Sequence, residues 1–364
     1  MKPKLVIIVE NIFSTKLSIG GRKEMKKRII TLILILAMMF TMAACGKEKE
    51  EVNTAYIDRK VGICIYKGTD DFMKLYEAEL RKYLISQGFA DENIKTVDAK
   101  NDQKTQNEQV KKLIEDKVDV LIVNPVNPSN AGTITDMAVD AEIPLIYINR
   151  EPDKDEQDRW SNNGWKVTYV GCDARQSGKM QGEIVIDLGL DVIDLNKDGK
   201  VQYIMVEGDP ENIDAQYRTQ FSIKAINAQG IFVDCIDDQV GNWETVAAQT
   251  IVADDLMAYG DKIEVIFCNN DAMALGAIRA IKAAGRTVGK DVFLVGVDAL
   301  KEACQAILDG DMTGTVFNDH ITQAHSVADC AIKFIEGKRV DNYIACDYVK
   351  VTKDNAQEIL DLLK

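Results

Sequence analysis

Short runs of β-branched and apolar residues alternate with longer amphipathic stretches, and the whole pattern runs through twice. Val61 to Tyr66 has the composition of a strand, and Phe72 to Gln87 that of a helix ended by Gly88. Strand-like runs follow at Val118 to Val123 and Pro144 to Ile148. The series restarts with Val201 to Val206 and a helix from about Ala215 to Gln229, ended by Gly230. Ile263 to Phe267, Val292 to Val297 and Gly314 to Phe317 complete it. Apolar runs this short, separated by helices, predict strands buried on both faces, which means parallel sheets covered by helices. A chain of 364 residues has room for about two such domains. The expected fold is therefore α/β, with two Rossmann-like lobes.

The two halves echo one another. Val118-Asp-Val-Leu-Ile-Val-Asn124 resembles Ile263-Glu-Val-Ile-Phe-Cys-Asn269, and each is followed by a second strand with a polar end. Ligands of open α/β sheets bind beyond the carboxyl ends of the strands. Asn124, Asn149, Asn270, Asp298 and Asn318 all stand at such ends. Asn and Asp also begin turns and cap helices, so one alone says little, but five at equivalent ends of two lobes mark a site.

Enzyme signatures are missing. The sequence has no GxSxG, HExxH or GxGxxG, and only two histidines, His320 and His325. Gly285 to Lys290 suggests a phosphate loop, but it is one residue short and has Asp291 where Ser or Thr would hold Mg²⁺. The first 44 residues carry eight Lys or Arg and two Asp or Glu, leaving 36 basic and 56 acidic groups in the remainder. A body so acidic is repelled by nucleic acid and by anionic lipid.

Met25-Lys-Lys-Arg28 followed by the uncharged run Ile29 to Ala44 has the design of an export signal. Sixteen residues span about 24 Å as helix, short of a ~30 Å hydrocarbon core. The run ends Met42-Ala43-Ala44-Cys45-Gly46, which resembles a bacterial lipobox, so Cys45 is expected to be lipidated. Residues 46–57 then form a polar tether. Residues 1–24 fit no signal design, and translation from Met25 is the expected start. The other seven cysteines form no CxxC pair, and their odd, scattered set predicts free thiols.

One loop carries metal-ligand spacing. Asp194, Asn196, Asp198, Lys200 and Gln202 occupy positions one, three, five, seven and nine of an EF-hand calcium loop, with Gly199 at the sharp turn. Position twelve, normally a bidentate Glu, is Met205, so the last carboxylate must come from elsewhere.

From about Val61 to Leu360 the chain resembles the periplasmic D-galactose/D-glucose-binding proteins of ABC transporters, which have the periplasmic binding protein type I fold. The resemblance rests on Ile65-Tyr66-Lys67, Asp71-Phe72-Met73, Asn101-Asp102-Gln103, Asn149-Arg150-Glu151-Pro152, Tyr169-Val170-Gly171, Asp194 to Gly199, Asn269 to Met273, Gly296 to Leu300, Gly314-Thr315-Val316 and Asn318-Asp319. It implies a split calcium site completed by Glu264. It also implies a sugar site in which Phe72 and Trp243 sandwich the ring, while Asp70, Asn149, Asn212, Asp214, Arg218, Asn270, Asp298 and Asn318 meet the hydroxyls. The family commonly has His where this chain has Asn212. The resemblance further implies three crossings between lobes, near Cys172-Asp173, Asn318 and Asp347. Residues 58–172 and 319–347 then make the N-terminal lobe, and 173–318 and 348–364 the C-terminal lobe. Function follows as an expectation: a monomeric, non-enzymatic lipoprotein on the outer face of the membrane or in the periplasm, passing galactose or glucose to an ABC permease. Presentation of sugar to a chemoreceptor or sensor kinase is the alternative. A repressor-type sensor core would need a DNA-binding head at the N-terminus, where a hydrophobic signal stands instead.

Overall fold

The structure is a computed structural model that describes residues 53–364; the signal region, Cys45 and the tether up to Val52 lie outside the described residues. The strands are β1 (Val61–Ile65), β2 (Ile94–Asp98), β3 (Val120–Val123), β4 (Leu145–Ile148), β5 (Val167–Cys172), β6 (Lys200–Glu207), β7 (Phe232–Val240), β8 (Val265–Cys268), β9 (Phe293–Val295), β10 (Thr315–Asn318), β11 (Tyr343–Cys346) and β12 (Tyr348–Val351). One sheet runs in the order β11, β5, β4, β3, β1, β2, with every neighbouring pair parallel. A second parallel sheet runs β7, β6, β8, β9, and β10 pairs antiparallel with β12. Among the described residues no helix is long and apolar enough to cross a membrane.

The central strands are buried along their whole length because helices cover both faces of each sheet. Val120, Leu121, Ile122 and Val123 of β3 are wholly inaccessible, as are Val265 to Cys268 of β8. This is the environment that continuous apolar runs require. Helix Asp71–Ser86 shows how the covering layer forms. Asp70 caps it by accepting from the Met73 amide at 2.8 Å, a contact worth about 1 kcal/mol. Met73, Tyr76, Leu80 and Leu84 then recur at helical spacing and are buried.

The chain leaves the first sheet after Cys172 and enters helix Ala174–Ile186, which packs against helix Ile213–Asn227 of the second body. It returns after Asn318, where helix His320–Ile335 packs on Asp71–Ser86, and crosses again between Cys346 and Tyr348. Cys172 and Cys346 are register partners on β5 and β11. The seven thiols within the described residues are all free, and only Cys235 is exposed.

Two details depart from the sequence reading. The tether was expected to reach residue 57, but Asn53 bonds the carbonyl of Gln87 at 2.8 Å, and Tyr56 stacks on Phe89 at 5.1 Å. The segment from Asn53 onward is thus tied to the first body. The central strand β5 and the strands β2, β7, β11 and β12 were also not anticipated. In β7 the aspartates 234, 237 and 238 break the apolar pattern, and Ile236 is an extra residue opposite β6, a bulge.

Helices Thr245–Tyr259 and Asp271–Ala283 approach so closely that a Cβ at Gly276 would lie 2.1 Å from the Thr245 carbonyl oxygen. Backbone cannot yield as a side-chain tip can. Gly276→Ala should therefore lose about 1–3 kcal/mol of stability, read as a lower urea midpoint. An unchanged midpoint would show that these helices do not pack so tightly.

Candidate ligand-binding cleft

Both parallel sheets turn the carboxyl ends of their strands toward the space between the two bodies, and the chain's polar turns collect there. Tyr66, Asp70 and Phe72 follow β1, while Asn149 and Arg150 follow β4. From the second sheet, Asn212, Asp214 and Arg218 follow β6, Trp243 follows β7, Asn270 follows β8 and Asp298 follows β9; Asn318 ends β10. These twelve side chains line one cleft with about 320 Å³ of empty space. All ten residues named from the sequence are among them. Tyr66 and Arg150 were missed, although both lie inside quoted motifs and immediately after strands. Asn124 does not belong: it is wholly buried with its amide turned to the Met73 sulfur at 3.0 Å. Its strand-end position serves the core rather than the cleft.

Several lining residues also hold the backbone. Asp70 gives one carboxylate oxygen to the Met73 amide and the other to the Tyr66 hydroxyl at 2.6 Å. Asn270 caps its helix through the Met73-like contact of its own side-chain oxygen to the Met273 amide at 3.0 Å. Asn212 likewise accepts from the Asp214 amide at 3.1 Å, leaving its NH₂ group free of that duty. Asn149, Trp243 and Asp298 have φ of 59°, 67° and 120°. Left-handed backbone at non-glycine positions costs about 1–3 kcal/mol each and tends to gather at functional sites. The Trp243 indole lies on Gly208, where a Cβ would come within 2.1 Å of the ring. Only glycine allows that approach, and the buried indole N–H has no partner in the protein.

Charge is concentrated here. Arg218 donates to the Asn269 carbonyl at 2.8 Å and to the Tyr348 hydroxyl at 3.3 Å, and stands 4.0 Å from Asp298. Asp298 accepts from the Asn318 amide at 3.3 Å, and Asn318 in turn accepts from Gln323 at 2.8 Å. Asp214 and Arg218, four residues apart, could have been a surface helix pair; both are instead buried. Burial pushes the Asp214 carboxyl up to about 6 and that of Asp298 up to about 7, with Arg218 opposing the rise in each.

A profile of the periplasmic binding protein domain matches residues 61–339. The chain belongs to the periplasmic binding protein family. The D-galactose/methyl-galactoside-binding periplasmic protein of Haemophilus influenzae is 35% identical over 317 residues, covering 83% of this chain and 92% of that protein. A putative rhizopine-binding protein of Rhizobium meliloti is 30% identical, over 92% of this chain and 98% of that one. A solute-binding protein of a Bacillus halodurans ABC transporter, solved with myo-inositol, superposes with a TM-score of 0.72 at 27% identity, over 86% of this chain and 99% of that one. The fold is thus the two-lobed type I arrangement of that family, and these relatives are described by what they bind rather than by a reaction.

The loop with metal spacing lies at the opposite edge of the second sheet and runs into the first residues of β6. Glu264, just ahead of β8, is wholly buried and reaches into it. One Glu264 oxygen accepts from the amides of Leu195 and Asn196 at 2.6 and 3.2 Å, the other from the Gln202 amide at 2.9 Å. Asp194 accepts from the amides of Asp198 and Gly199, and Asp198 from the Lys200 amide and the Gln202 side chain. Gln202 accepts from Asn196 at 3.0 Å. The five loop residues and Glu264 are therefore one cluster. Its side-chain oxygens are turned onto N–H groups, and among the described residues no three His, Cys, Asp or Glu are spaced to hold a metal. Three carboxylates nonetheless meet here with no ion-pair partner among the described residues, while Lys200 turns away to Asp234.

The raised carboxyls set a sign for pH. In the unfolded chain both aspartates titrate near 3.8, whereas the folded protein holds their protons up to about 6 and about 7. Between those limits the folded state binds more protons, so their contribution to stability falls as pH rises. Urea denaturation at about pH 5 and about pH 8 should show Asp298→Asn flattening that fall and raising the midpoint at the higher pH. A slope identical to the parent's would place the Asp298 pKa near its ordinary value.

Proposed function

We propose that this protein is a lipid-anchored solute-binding protein that captures D-galactose or D-glucose between its lobes and delivers it to an ABC permease. The observation that carries the reading is the cleft itself: ten residues that resemble the hexose site of galactose/glucose-binding proteins surround one cavity. The galactoside name of the Haemophilus influenzae relative supports the same ligand class.

The chemistry suits a pyranose. Its C–H faces are apolar and its equator is a belt of hydroxyls, which aromatic rings and planar polar side chains match respectively. Asp70 and Asp298 accept hydroxyl hydrogens, Arg218 donates, and Asn149, Asn270 and Asn318 do both. Hydrogen bonds to charged partners are worth about 1.5–3 kcal/mol each in a dry site. Asn212 replaces an imidazole of the family with an amide that still donates to an oxygen. Asp70, held by Tyr66, accepts from either epimer of the hydroxyl that separates galactose from glucose.

Calcium belongs to the same reading. The donor set of Asp194, Asn196, Asp198, Gln202, the Lys200 carbonyl and a bidentate Glu264 is hard oxygen throughout, which suits Ca²⁺. The ion would tie the loop to β8, so its role is stability of the second lobe. Export with lipidation at Cys45 would hold the protein at the outer face of the membrane, as two or more acyl chains give a stable anchor.

Calorimetric titration with a monosaccharide panel tests the ligand. Galactose or glucose should bind, Trp243 fluorescence should report it, and Trp243→Ala should weaken binding at least about tenfold, roughly 1.4 kcal/mol. Binding of pentoses alone would reject the hexose. For the metal, chelation should lower the melting temperature, and Glu264→Gln should remove most of that response. At a hundredfold excess over the dissociation constant calcium adds ~2.7 kcal/mol. A melting curve indifferent to chelator would reject the site.

A further inference from the structure

Cys172 and Cys346 stand opposite each other at two of the places where the chain passes between the bodies. Cys172 ends β5, Cys346 ends β11, and the two are register partners on neighbouring parallel strands. Among the described strands no other two cysteines are register partners. Partners in register send their side chains to the same face of a sheet. Both sulfurs accordingly enter one apolar cluster, which also takes in Cys330 and Tyr76. The Tyr76 hydroxyl is wholly buried there with no hydrogen-bond partner, and all three sulfurs are its neighbours.

Neighbouring strands lie about 4.7–4.9 Å apart, and a disulfide usually joins Cα atoms about 4.4–6.8 Å apart. The backbone thus sets the two cysteines within bonding range. Their parallel side chains must lean together to meet, which makes the bond strained and readily reduced. Burial pushes both thiols up, so they are inert while the sheet is intact. β11 is four residues long and lies at the edge of its sheet, so local fraying exposes Cys346 first. The Ser326 hydroxyl beside Cys346 opposes the effect of burial on that thiol.

We propose that Cys172 and Cys346 are the reduced form of a reversible disulfide, a redox site whose oxidant is a small neutral disulfide. The Cys346 thiolate attacks one sulfur of the oxidant, forming a mixed disulfide and expelling one small thiolate. The Cys172 thiolate then attacks the Cys346 sulfur, closing the protein bond and expelling the second. Two protein thiols are oxidised, one small disulfide is reduced to two thiols, and the two protein protons pass to them through solvent. Glutathione disulfide is anionic and the body of the chain is acidic, so a neutral oxidant approaches more readily. The bond closes a loop that contains the whole second sheet, and long loops gain most from a cross-link. The proposal is independent of which ligand the cleft takes.

The test incubates the folded protein with bis(2-hydroxyethyl) disulfide, alkylates the remaining thiols and maps peptides without reduction. A peptide pair joined through Cys172 and Cys346, two hydrogens lighter than its parts, should appear and should vanish after dithiothreitol. The urea midpoint of the linked protein should exceed that of the reduced protein. Cys330→Ala should leave both results unchanged, and Cys346→Ala, on the edge strand, should abolish both. Recovery of Cys172 and Cys346 as alkylated thiols would overturn the site. So would linkage of Cys346 to Cys330, or a bond that forms only in urea and thus belongs to the unfolded chain. An unchanged midpoint in the linked protein would reject the hold of the bond on the two crossings.

Discussion

The constraint from which the rest follows is that both large sheets are parallel. Parallel strands deliver every carboxyl end to the same edge, and each chain must turn there and start a helix. Four backbone N–H groups open each helix without partners, so a polar side chain is required at each turn for structural reasons alone. Asp70, Asn212 and Asn270 meet that requirement with one oxygen apiece. The Asn212 and Asn270 NH₂ groups are left over, facing the cleft. The binding site is thus assembled from groups the fold needs in any case. A side effect is that no substitution at these three positions separates binding from stability: losing the cap alone costs about 1 kcal/mol.

Burial then sets the chemistry. Two guanidinium groups, Arg150 and Arg218, and the carboxyls of Asp214 and Asp298 are nearly inaccessible in the same cleft. Isolated charges would not tolerate this, and the structure answers in two ways. Burial raises both carboxyls toward neutrality, to about 6 and about 7. Arg218, which stays charged, spends two N–H groups on the Asn269 carbonyl and the Tyr348 hydroxyl. What remains unspent is the Arg218 Nε, the Trp243 indole N–H and two nitrogens of Arg150. Those donors share a cleft with the carboxylates of Asp70, Asp214 and Asp298, and donors beside acceptors are the complement of a ligand rich in hydroxyls.

Most central strands were legible in the sequence because strands covered on both faces are written as unbroken apolar runs, as Val120 to Val123 shows; the central β5 was not, because Thr168 and Gly171 interrupt its run. Nor were the edge strands β2, β7 and β11, although β9, also at an edge, was. β7 pairs on one side only, its face meets water, and Asp234, Asp237 and Asp238 are tolerated there at the expense of any readable pattern. In the cleft, residues at strand ends could be found by position, but position does not tell a cleft residue from a core one. Asn124 and Asn149 end neighbouring strands with the same side chain. Asn124 continues in a β-like path and turns into the core against Met73, whereas Asn149 adopts φ of 59° and turns out. Arg150 was hidden for the opposite reason: an arginine after a strand reads as a surface charge, and only the turn at Asn149 and the ring of Tyr66 bring it inside.

The same parallel arrangement separates the two sites of the second lobe. The loop from Asp194 to Gln202 and Glu264 stand at the amino ends of β6 and β8, while Asn212 and Asn270 follow their carboxyl ends. β6 is eight residues long, which at about 3.3 Å per residue puts roughly 25 Å between the edges. Charges that far apart exceed the Debye length of about 8 Å by threefold in physiological salt. A cation in the loop therefore has no electrostatic route to the cleft. What it can alter is the free energy of the sheet that both sites share: tying Leu195 and Gln202 to Glu264 fixes the amino ends of β6 and β8 against each other. Strands fixed at one edge hold their other edge in register, and register decides where Asn270, Arg218 and Trp243 stand. On the proposed calcium reading, metal and ligand would be linked through folding rather than through charge, and that linkage would vanish wherever the lobe is already fully folded.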